Sequence, residues 1–393
     1  MAALIGPVPF EDVADDDQMA ISPPLDYADM VSTLPSITGN AGMLLRQYQG
    51  VRLVDQTVAG LISFQRRFVP RTGDVLLASP PKCGTTWIKG LAFTTMARAA
   101  YPPSDAGHPL RRLNPHQCVP SVDELFSAGQ EARLEALPSP RLLHTHMQHS
   151  LLPRALAANP DCKIVYVCRE PKDMLVSMWH FIRGGGANDF PFSELFELAC
   201  EGQDAYGPMW NHVLGYWNAS IANPDMVLFL RYEEMLADPA TTVRELARFL
   251  GVAFTAVEEA AGTPADIAKM CSIDTLRGLD ANKTGKTGVF YKCPHESFFR
   301  KGVVGDWANH MTPEMACRID AIIEDKLQGS GLTPSHPFPL SPPEQDHWPD
   351  ALVHYLFLYI YLMMKVSSVS VLVCWSRSTF IVSVVSLYRV RQN

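Results

Sequence analysis

Three segments of this chain share one order: a short apolar run, a polar turn and a stretch with helical character. The apolar runs are residues 74–79, 163–168 and 226–230. Near-continuous apolar strands that alternate with helices are typical of a parallel sheet covered on both faces. Ligands of such sheets bind at the carboxyl ends of the strands, where all three polar turns fall. We therefore predict an α/β fold, a single domain with a central parallel sheet flanked by helices.

The composition changes along the chain and divides it into three parts. Residues 1–45 contain seven acidic residues and no Lys or Arg, which predicts an acidic, disordered tail. Residues 46–335 are predicted to form the folded domain. Residues 336–393 form an atypical apolar extension.

The extension contains one stretch, Ala351–Trp375, that is long enough to span a membrane. Two interpretations remain open: a membrane anchor, or an extension such as translated non-coding sequence that has no partner. Lys365 lies in the middle of the stretch, where a charge costs roughly 2.5–3.5 kcal/mol on insertion. The charge favours the second interpretation, so we expect the extension to be dispensable.

The charge balance and the cysteine pattern exclude several classes of protein. With 33 Lys and Arg against 41 Asp and Glu, the formal net charge is −8, which disfavours a nucleic-acid partner. The nine cysteines form no C-x-x-C pair, and this favours reduced thiols. The first residues have neither the basic region nor the apolar run of a signal peptide. We therefore predict a cytoplasmic protein.

The first polar turn, Pro-Pro-Lys-Cys-Gly-Thr-Thr-Trp at 80–87, has the properties of an anion-binding loop. Gly84 allows the backbone to approach a ligand closely, and the N–H groups that begin the next helix favour an anion. Lys82 adds a charge, while Thr85 and Thr86 add hydroxyl donors. In a Walker A loop the lysine follows the last glycine, whereas here it precedes Gly84. The alternative is a threonine that caps the helix beside a surface lysine. This alternative explains each residue alone, but it does not explain seven such residues in a row after an apolar strand.

Two further groups of residues fit phosphate binding. Arg169 follows the second apolar run and Ser177 lies eight residues later, so a guanidinium and a hydroxyl can converge on one phosphate. A structural ion pair is the alternative role for Arg169. Arg300 and Lys301, followed by Gly302, form a second basic turn. The alternative there is a solvated surface turn.

Three histidines, His144, His146 and His149, lie within six residues. On a strand, His144 and His146 would share one face. A metal site would need a further oriented ligand, and no H-E-x-x-H or similar carboxylate pattern accompanies them. We therefore predict no metal and favour a general base, with a core role as the alternative for His144 and His149.

Three stretches together resemble the cytosolic sulfotransferase family: PKCGTTW at 81–87, the run Cys168–Phe181, and RKGVVGDW at 300–307. The resemblance covers residues 47–332, and Cys83 and the stretch 309–320 are most similar to the plant branch. It implies a five-stranded parallel sheet and a strand–loop–helix that binds the phosphosulfate of 3′-phosphoadenosine-5′-phosphosulfate (PAPS), with no metal required.

The resemblance also implies which residues hold this co-substrate. They are Lys82, Cys83, Gly84, Thr85, Thr86 and Trp87 at the 5′-phosphosulfate and adenine-side wall, Arg169, Ser177, Arg300, Lys301 and Gly302 at the 3′-phosphate, and Tyr232, Cys271, Ile273 and Leu276 at the nucleoside. Ile273 stands where the family has a phenylalanine. Cys83 stands where the family more commonly has a serine, which is a stronger hydrogen-bond donor.

The implied reaction is transfer of a sulfonyl group from PAPS to a hydroxyl of a small hydrophobic acceptor, such as a flavonoid, a steroid or a hormone-type metabolite. His146 matches the catalytic histidine and would act as the general base. Lys82 would stabilise the charge that develops on the leaving phosphate. The acceptor is expected near the loops 103–113 and 279–298.

Two alternatives differ in class from this enzyme. One is a sulfotransferase-like protein that binds the nucleotide without turnover, but His146 and Lys82 are both present. The other is an NTPase or kinase, which the order of lysine and glycine disfavours. The family's dimerisation motif is interrupted by Ala308, Pro313 and Cys317, so we predict a monomer or a weak dimer.

Overall fold

The computed structural model describes residues 6–13, 27–288, 292–333, 371–376 and 379–384 of the 393-residue chain. The chain divides into two units, 1–336 and 337–393. In the second unit, β10 (Val371–Ser376) and β11 (Thr379–Val384) form an antiparallel pair. Most of the candidate membrane stretch, residues 351–370, lies outside the described residues. Within the described residues, no helix is long and apolar enough to cross a membrane.

The first unit alternates strands and helices. Its strands are β1 (Ser36–Thr38), β2 (Leu44–Tyr48), β3 (Val51–Val54), β4 (Val75–Ala78), β5 (Leu142–Thr145), β6 (Lys163–Cys168), β7 (Val227–Arg231), β8 (Lys286–Thr287) and β9 (Cys293–Pro294). Its helices are α1 (Phe10–Val13), α2 (Ala28–Ser32), α3 (Asp55–Arg67), α4 (Thr85–Ala97), α5 (Pro115–Cys118), α6 (Val122–Ser127), α7 (Ala132–Ala136), α8 (Arg154–Ala157), α9 (Pro171–Gly184), α10 (Phe192–Cys200), α11 (Met209–Ala222), α12 (Tyr232–Ala237), α13 (Pro239–Phe249), α14 (Ala256–Ala260), α15 (Thr263–Met270), α16 (Ile273–Gly278) and α17 (Pro313–Leu327).

The central sheet is parallel and has the strand order β5-β4-β6-β7. The α/β fold with a parallel sheet is thus confirmed, and the three predicted apolar runs are strands β4, β6 and β7. The described residues give four strands, so the expected five-stranded sheet is wrong for them. Beyond β5 the pairing continues only as one parallel bridge between Ser121 and His144, because helix α6 begins at Val122.

The sheet is buried on both faces, which explains its apolar strands. On one face Leu76, Leu143 and Ile164 pack in a core with residues of α3, α6 and α11. On the other face Val75 and Leu77 pack in a second core with residues of α4, α13 and α15. Alternate residues of a strand point to opposite faces, so each strand contributes to both cores.

Part of the predicted acidic tail is packed against the domain. Phe10 is 5% exposed, lies in the same core as α3, and contacts the guanidinium of Arg133. The predicted boundary at 45/46 falls inside strand β2, where Leu45 pairs with Val54. A disordered tail is therefore wrong for the described residues 6–13 and 27–45. The prediction relied on the acidic residues and overlooked apolar side chains, such as Phe10 and Val31, that this segment buries.

Candidate active site

The polar turns that follow β4, β6 and β7 meet the basic turn at 300–302 around a cleft of about 820 Å³. The cleft is lined by every residue that the sequence predicted for the nucleotide and for catalysis, with one exception, Cys83. The residues that line it are Lys82, Gly84, Thr85, Thr86, Trp87, His146, Arg169, Ser177, Tyr232, Cys271, Ile273, Leu276, Arg300, Lys301 and Gly302. Residues that lie between positions 82 and 302 of the chain are thus brought to one place by the fold.

The loop between β4 and α4 lines the cleft. Gly84 has a φ of 96°, and a Cβ atom at this position would lie 2.8 Å from Cδ2 of Tyr232. Both the left-handed backbone and the close tyrosine ring therefore require glycine. The hydroxyls of Ser79 and Thr85 share a hydrogen bond of 2.7 Å, which joins the two ends of the loop.

Lys82 carries the charge of this loop. Its backbone has a φ of 69°, and its Nζ atom lies 4.0 Å from the centre of the Phe181 ring. Burial, together with the nearby cations Arg169 and Arg300, lowers the pKa of Lys82 to about 8. An anion bound here would stabilise the charged form of Lys82, which the nearby cations destabilise.

Cys83 is the predicted ligand that the structure does not bring to the cleft. Its side chain is 1% exposed and packs in a core with Met174 and Leu175 of α9. Burial raises the pKa of its thiol well above the ordinary value. Its place in a run of ligands suggested contact, but its thiol faces the opposite way, into the core.

Arg169 joins two loops of the cleft. Its guanidinium donates to the carbonyl oxygens of Val303 at 2.9 Å and Lys82 at 3.4 Å, and it lies 4.6 Å from the centre of the Tyr232 ring. Its Nε atom is buried without a hydrogen-bond partner among the described residues. The guanidinium therefore keeps donor capacity for a ligand while it ties the loops together.

The basic turn is built around two carboxylates. Asp173 accepts from the backbone N–H groups of Gly305 at 2.7 Å and Trp307 at 3.0 Å. Asp306 accepts from Arg300 and Lys301, each at 2.6 Å. Burial alone would raise the pKa of Asp306, but these hydrogen bonds outweigh it and lower the pKa below its ordinary value.

Aromatic and apolar side chains form the remaining wall. The rings of Trp87 and Tyr232 meet edge to face, with centroids 5.6 Å apart, and Nε1 of Trp87 is buried without a partner among the described residues. Ile273 lies so close to Gly302 that a Cβ on this glycine would be 2.6 Å from its Cδ1 atom. This wall could therefore pack against a flat ring of a ligand and donate one hydrogen bond to it from Nε1 of Trp87.

His146 lies directly after β5 and is held from two sides. Its backbone N–H donates to Oδ2 of Asp123 at 2.8 Å, and its Nδ1 atom lies 2.8 Å from the carbonyl oxygen of Ser79. A carbonyl can only accept, so Nδ1 carries the proton and the Nε2 lone pair is free to accept one. Burial lowers the pKa of His146 to about 3, so the ring is neutral near pH 7.

The other two histidines of the cluster take different positions. His144 is 1% exposed, and neither of its ring nitrogens has a hydrogen-bond partner among the described residues. The ring of His149 packs against Tyr216, with centroids 5.3 Å apart. In the part of the chain that the structure describes, no group of three or more His, Cys, Asp or Glu side chains could hold a metal ion.

Sequence reasoning missed several residues of the site. His116 lines the cleft, stacks on Phe298 with centroids 4.2 Å apart, and lies 2.9 Å from the hydroxyl of Thr86. No local signal marks it, because it lies 30 positions from Thr86 in the chain. Of the two loops expected near the acceptor, 279–298 contributes residues 294 and 296–298, whereas 103–113 does not line the cleft.

Comparison with known proteins gives a consistent set of relatives. Residues 72–331 match the family model described as a sulfotransferase domain. Cytosolic sulfotransferase 8 of Arabidopsis thaliana is 44% identical over 309 residues, which is 77% of this chain and 91% of that protein. Cytosolic sulfotransferase 1 of the same plant is 43% identical over 311 residues, which is 77% of this chain and 93% of that protein.

Two solved structures have the same fold. A sulphotransferase from Arabidopsis thaliana has a TM-score of 0.64 and 33% identity, over 81% of this chain and 99% of that one. A mouse sulfotransferase solved in complex with PAP has a TM-score of 0.56 and 28% identity, over 73% of this chain and 96% of that one.

Proposed function

The chain belongs to the sulfotransferase family and is a sulfotransferase enzyme, and on this basis we propose that it transfers the sulfonyl group of PAPS to a hydroxyl of a small hydrophobic acceptor. The acceptor classes are those that the sequence suggested: flavonoids, steroids and hormone-type metabolites. The reaction belongs to class EC 2.8.2. The observation that carries the proposal is the free Nε2 lone pair of His146 in the same cleft as the ammonium of Lys82.

The polar groups of the cleft fit an anionic nucleotide with a phosphate at each end. Lys82, Arg169, Arg300 and Lys301 provide four cations, and Nε of both arginines is buried without a partner among the described residues. A bound phosphate would give these donors an acceptor. The mouse relative with PAP in its structure supports the same ligand here. This assignment requires no metal.

In the proposed reaction, the acceptor hydroxyl gives its proton to Nε2 of His146 as its oxygen bonds to sulfur. The bond between sulfur and the phosphate oxygen breaks, and Lys82 stabilises the negative charge left on the phosphate. A pKa of about 3 makes His146 neutral but weakly basic in the free protein. Anionic groups beside the ring raise its pKa, so the base gains strength only when the nucleotide is bound.

The acceptor would enter the cleft beside His146, and Phe181 and Phe298 are among the residues that line this cleft. Apolar ring faces there favour a hydrophobic compound over a charged one. The first relatives are cytosolic by name, and we propose the same location for this chain. The monomer or weak dimer stays a prediction.

The test is transfer of label from radiolabelled PAPS to a panel of flavonols, steroids and hydroxylated hormone-type compounds, with binding of PAP measured in parallel. We expect PAP to bind without magnesium and at least one acceptor to become labelled. Binding of PAP without transfer to any acceptor would favour the alternative, a nucleotide-binding protein without turnover.

A further inference from the structure

Lys89 is a buried cation that the proposed reaction does not use. It lies on α4, three residues after Thr86, and is 1% exposed. Its Nζ atom donates to the carbonyl oxygen of Val119 at 3.0 Å and lies 3.1 Å from Nδ1 of His116. Burial lowers the pKa of Lys89 to about 7, although the carboxylates of Glu124 and Asp123 oppose the shift.

His116 connects this lysine to the anion-binding loop. Asn114 accepts from the backbone N–H of His116 at 3.0 Å, and the ring stacks on Phe298 at an angle of 25°. Both ring nitrogens are engaged: Nδ1 faces Lys89 and Nε2 lies 2.9 Å from Oγ1 of Thr86. The ring therefore bridges Lys89 and Thr86 in a fixed orientation.

The bridge has a direction. In its charged form Lys89 has three donors and no acceptor, so below its pKa it donates to Nδ1 of His116. Burial holds the pKa of His116 well below its ordinary value, so the ring is neutral and carries its one proton on Nε2. This N–H donates to the hydroxyl oxygen of Thr86, which leaves the hydroxyl hydrogen of Thr86 free for another acceptor.

We propose that Lys89 and His116 are positioning residues that turn the hydroxyl hydrogen of Thr86 toward the anionic 5′ end of the bound nucleotide. The inference rests on the proposed function, because it needs a phosphate or phosphosulfate group beside Thr86. The proposal gives the buried Lys89 a role. Lys89 determines which nitrogen of His116 carries the proton, and His116 in turn orients the hydroxyl of Thr86.

The first test is a double-mutant cycle on the affinity for PAP, with the variants Lys89→Met, Thr86→Val and the pair together. Met keeps the length of the lysine and Val keeps the shape of the threonine. Loss of one charge-assisted hydrogen bond predicts that Lys89→Met weakens binding about tenfold in the wild type. With Val at position 86, the same change should weaken binding less than about twofold. Equal losses in both backgrounds would mean that Lys89 acts only as a distant charge.

The second test needs no variant. Nitrogen-15 spectra of the His116 ring in the ligand-free protein should show a protonated Nε2 and an unprotonated Nδ1, and the opposite tautomer would overturn the inference. If Lys89→Met fails to fold, as thermal unfolding would reveal, the spectra still decide. A wild type that does not bind PAP would overturn the proposed function, whereas normal wild-type binding with additive losses overturns this inference alone.

Discussion

Nδ1 of His146 lies 2.8 Å from the carbonyl oxygen of Ser79, and this contact determines which ring nitrogen faces the cleft. The contact follows from the register of the sheet, because Ala78 of β4 is aligned with Thr145 of β5. Ser79 and His146 are the next residues of the two strands. Parallel pairing therefore places the loop that we propose for the phosphosulfate beside the histidine that we propose as the base.

Replacement of His146 by Ala should abolish transfer while it leaves the affinity for PAP nearly unchanged. A positioned base contributes roughly 10²–10⁴-fold to the rate, and the nucleotide contacts of the cleft remain. Steady-state turnover and calorimetric binding of PAP would check this. His149→Ala is the matched control, since that ring packs against Tyr216 outside the cleft. More than about a tenth of wild-type turnover in His146→Ala would remove this residue from the base role.

The affinity for PAP should fall as the pH rises above about 8, which is the pKa of Lys82 in the free protein. The anion binds the charged form of Lys82 more tightly, so binding raises this pKa. The affinity is therefore full below the free pKa and decreases until the pH reaches the higher pKa of the complex. Calorimetry at pH 8.5 should detect proton uptake on binding. In Lys82→Met both effects should become smaller, because Lys89, with a pKa of about 7, then remains to titrate in this range. A wild-type affinity that is constant from pH 7 to 10 would contradict the role of Lys82.

Replacement of Arg169 by Ala should weaken PAP more than it weakens 5′-AMP, which lacks the 3′-phosphate. Loss of a charge-assisted fork costs on the order of 1.5–3 kcal/mol. The control is Arg277→Ala, because Arg277 donates to the carbonyl oxygens of Phe299 and Arg300 and holds the same loop without lining the cleft. This control disturbs the position of Arg300 but keeps the Arg169 guanidinium, so it should weaken PAP less than Arg169→Ala does. Equal losses for both ligands in Arg169→Ala would show that Arg169 only ties the loops together.

Replacement of Gly84 by Ala should reduce both thermal stability and binding of PAP. A methyl group there meets the Tyr232 ring at 2.8 Å on a backbone with a φ of 96°, and such a backbone costs roughly 1–2 kcal/mol for a residue with a Cβ atom. Gly251→Ala provides the comparison, since Gly251 has a φ of 73° and open space around it. Thermal unfolding should show a larger loss for Gly84→Ala, and equal losses would exclude the contact with Tyr232 as a cause.

A chain that ends at Ser341 should be folded and as active as the full chain. The family match ends at residue 331, and the first structural unit ends at His336. Turnover and sedimentation of both chains in the presence of membranes would check this. Loss of activity on truncation, or sedimentation of the full chain alone with membranes at high salt, would favour the membrane anchor.

The sequence predicted the parts of the site that are contiguous in the chain. Lys82, Gly84, Thr85 and Thr86 follow one another, so a strand end and a helix start were enough to expect an anion there. The apolar runs likewise predicted the parallel strands. A strand that is buried on both faces is apolar at nearly every position, and this pattern is visible in the sequence.

The parts that depend on tertiary contacts left no such signal. His116 reaches Thr86 only because α5 packs against α4, and Asp123 reaches His146 only because α6 lies beside the end of β5. Cys83 illustrates the converse error, since its neighbours line the cleft while its own thiol turns into the core. The sequence also did not predict the number of strands in the central sheet. Next to β5 only the bridge between Ser121 and His144 forms, because α6 begins at Val122.

The left-handed backbone of Lys82 lowers the stability of the fold at a position that we propose to be needed for activity. With a φ of 69°, the position suits glycine or asparagine, and a lysine there costs roughly 1–2 kcal/mol relative to glycine. Selection for resistance to heat alone would therefore favour replacement of the residue whose charge we propose to bind the nucleotide. Engineering of a more durable form of this enzyme must hold position 82 constant and gain its stability elsewhere in the fold.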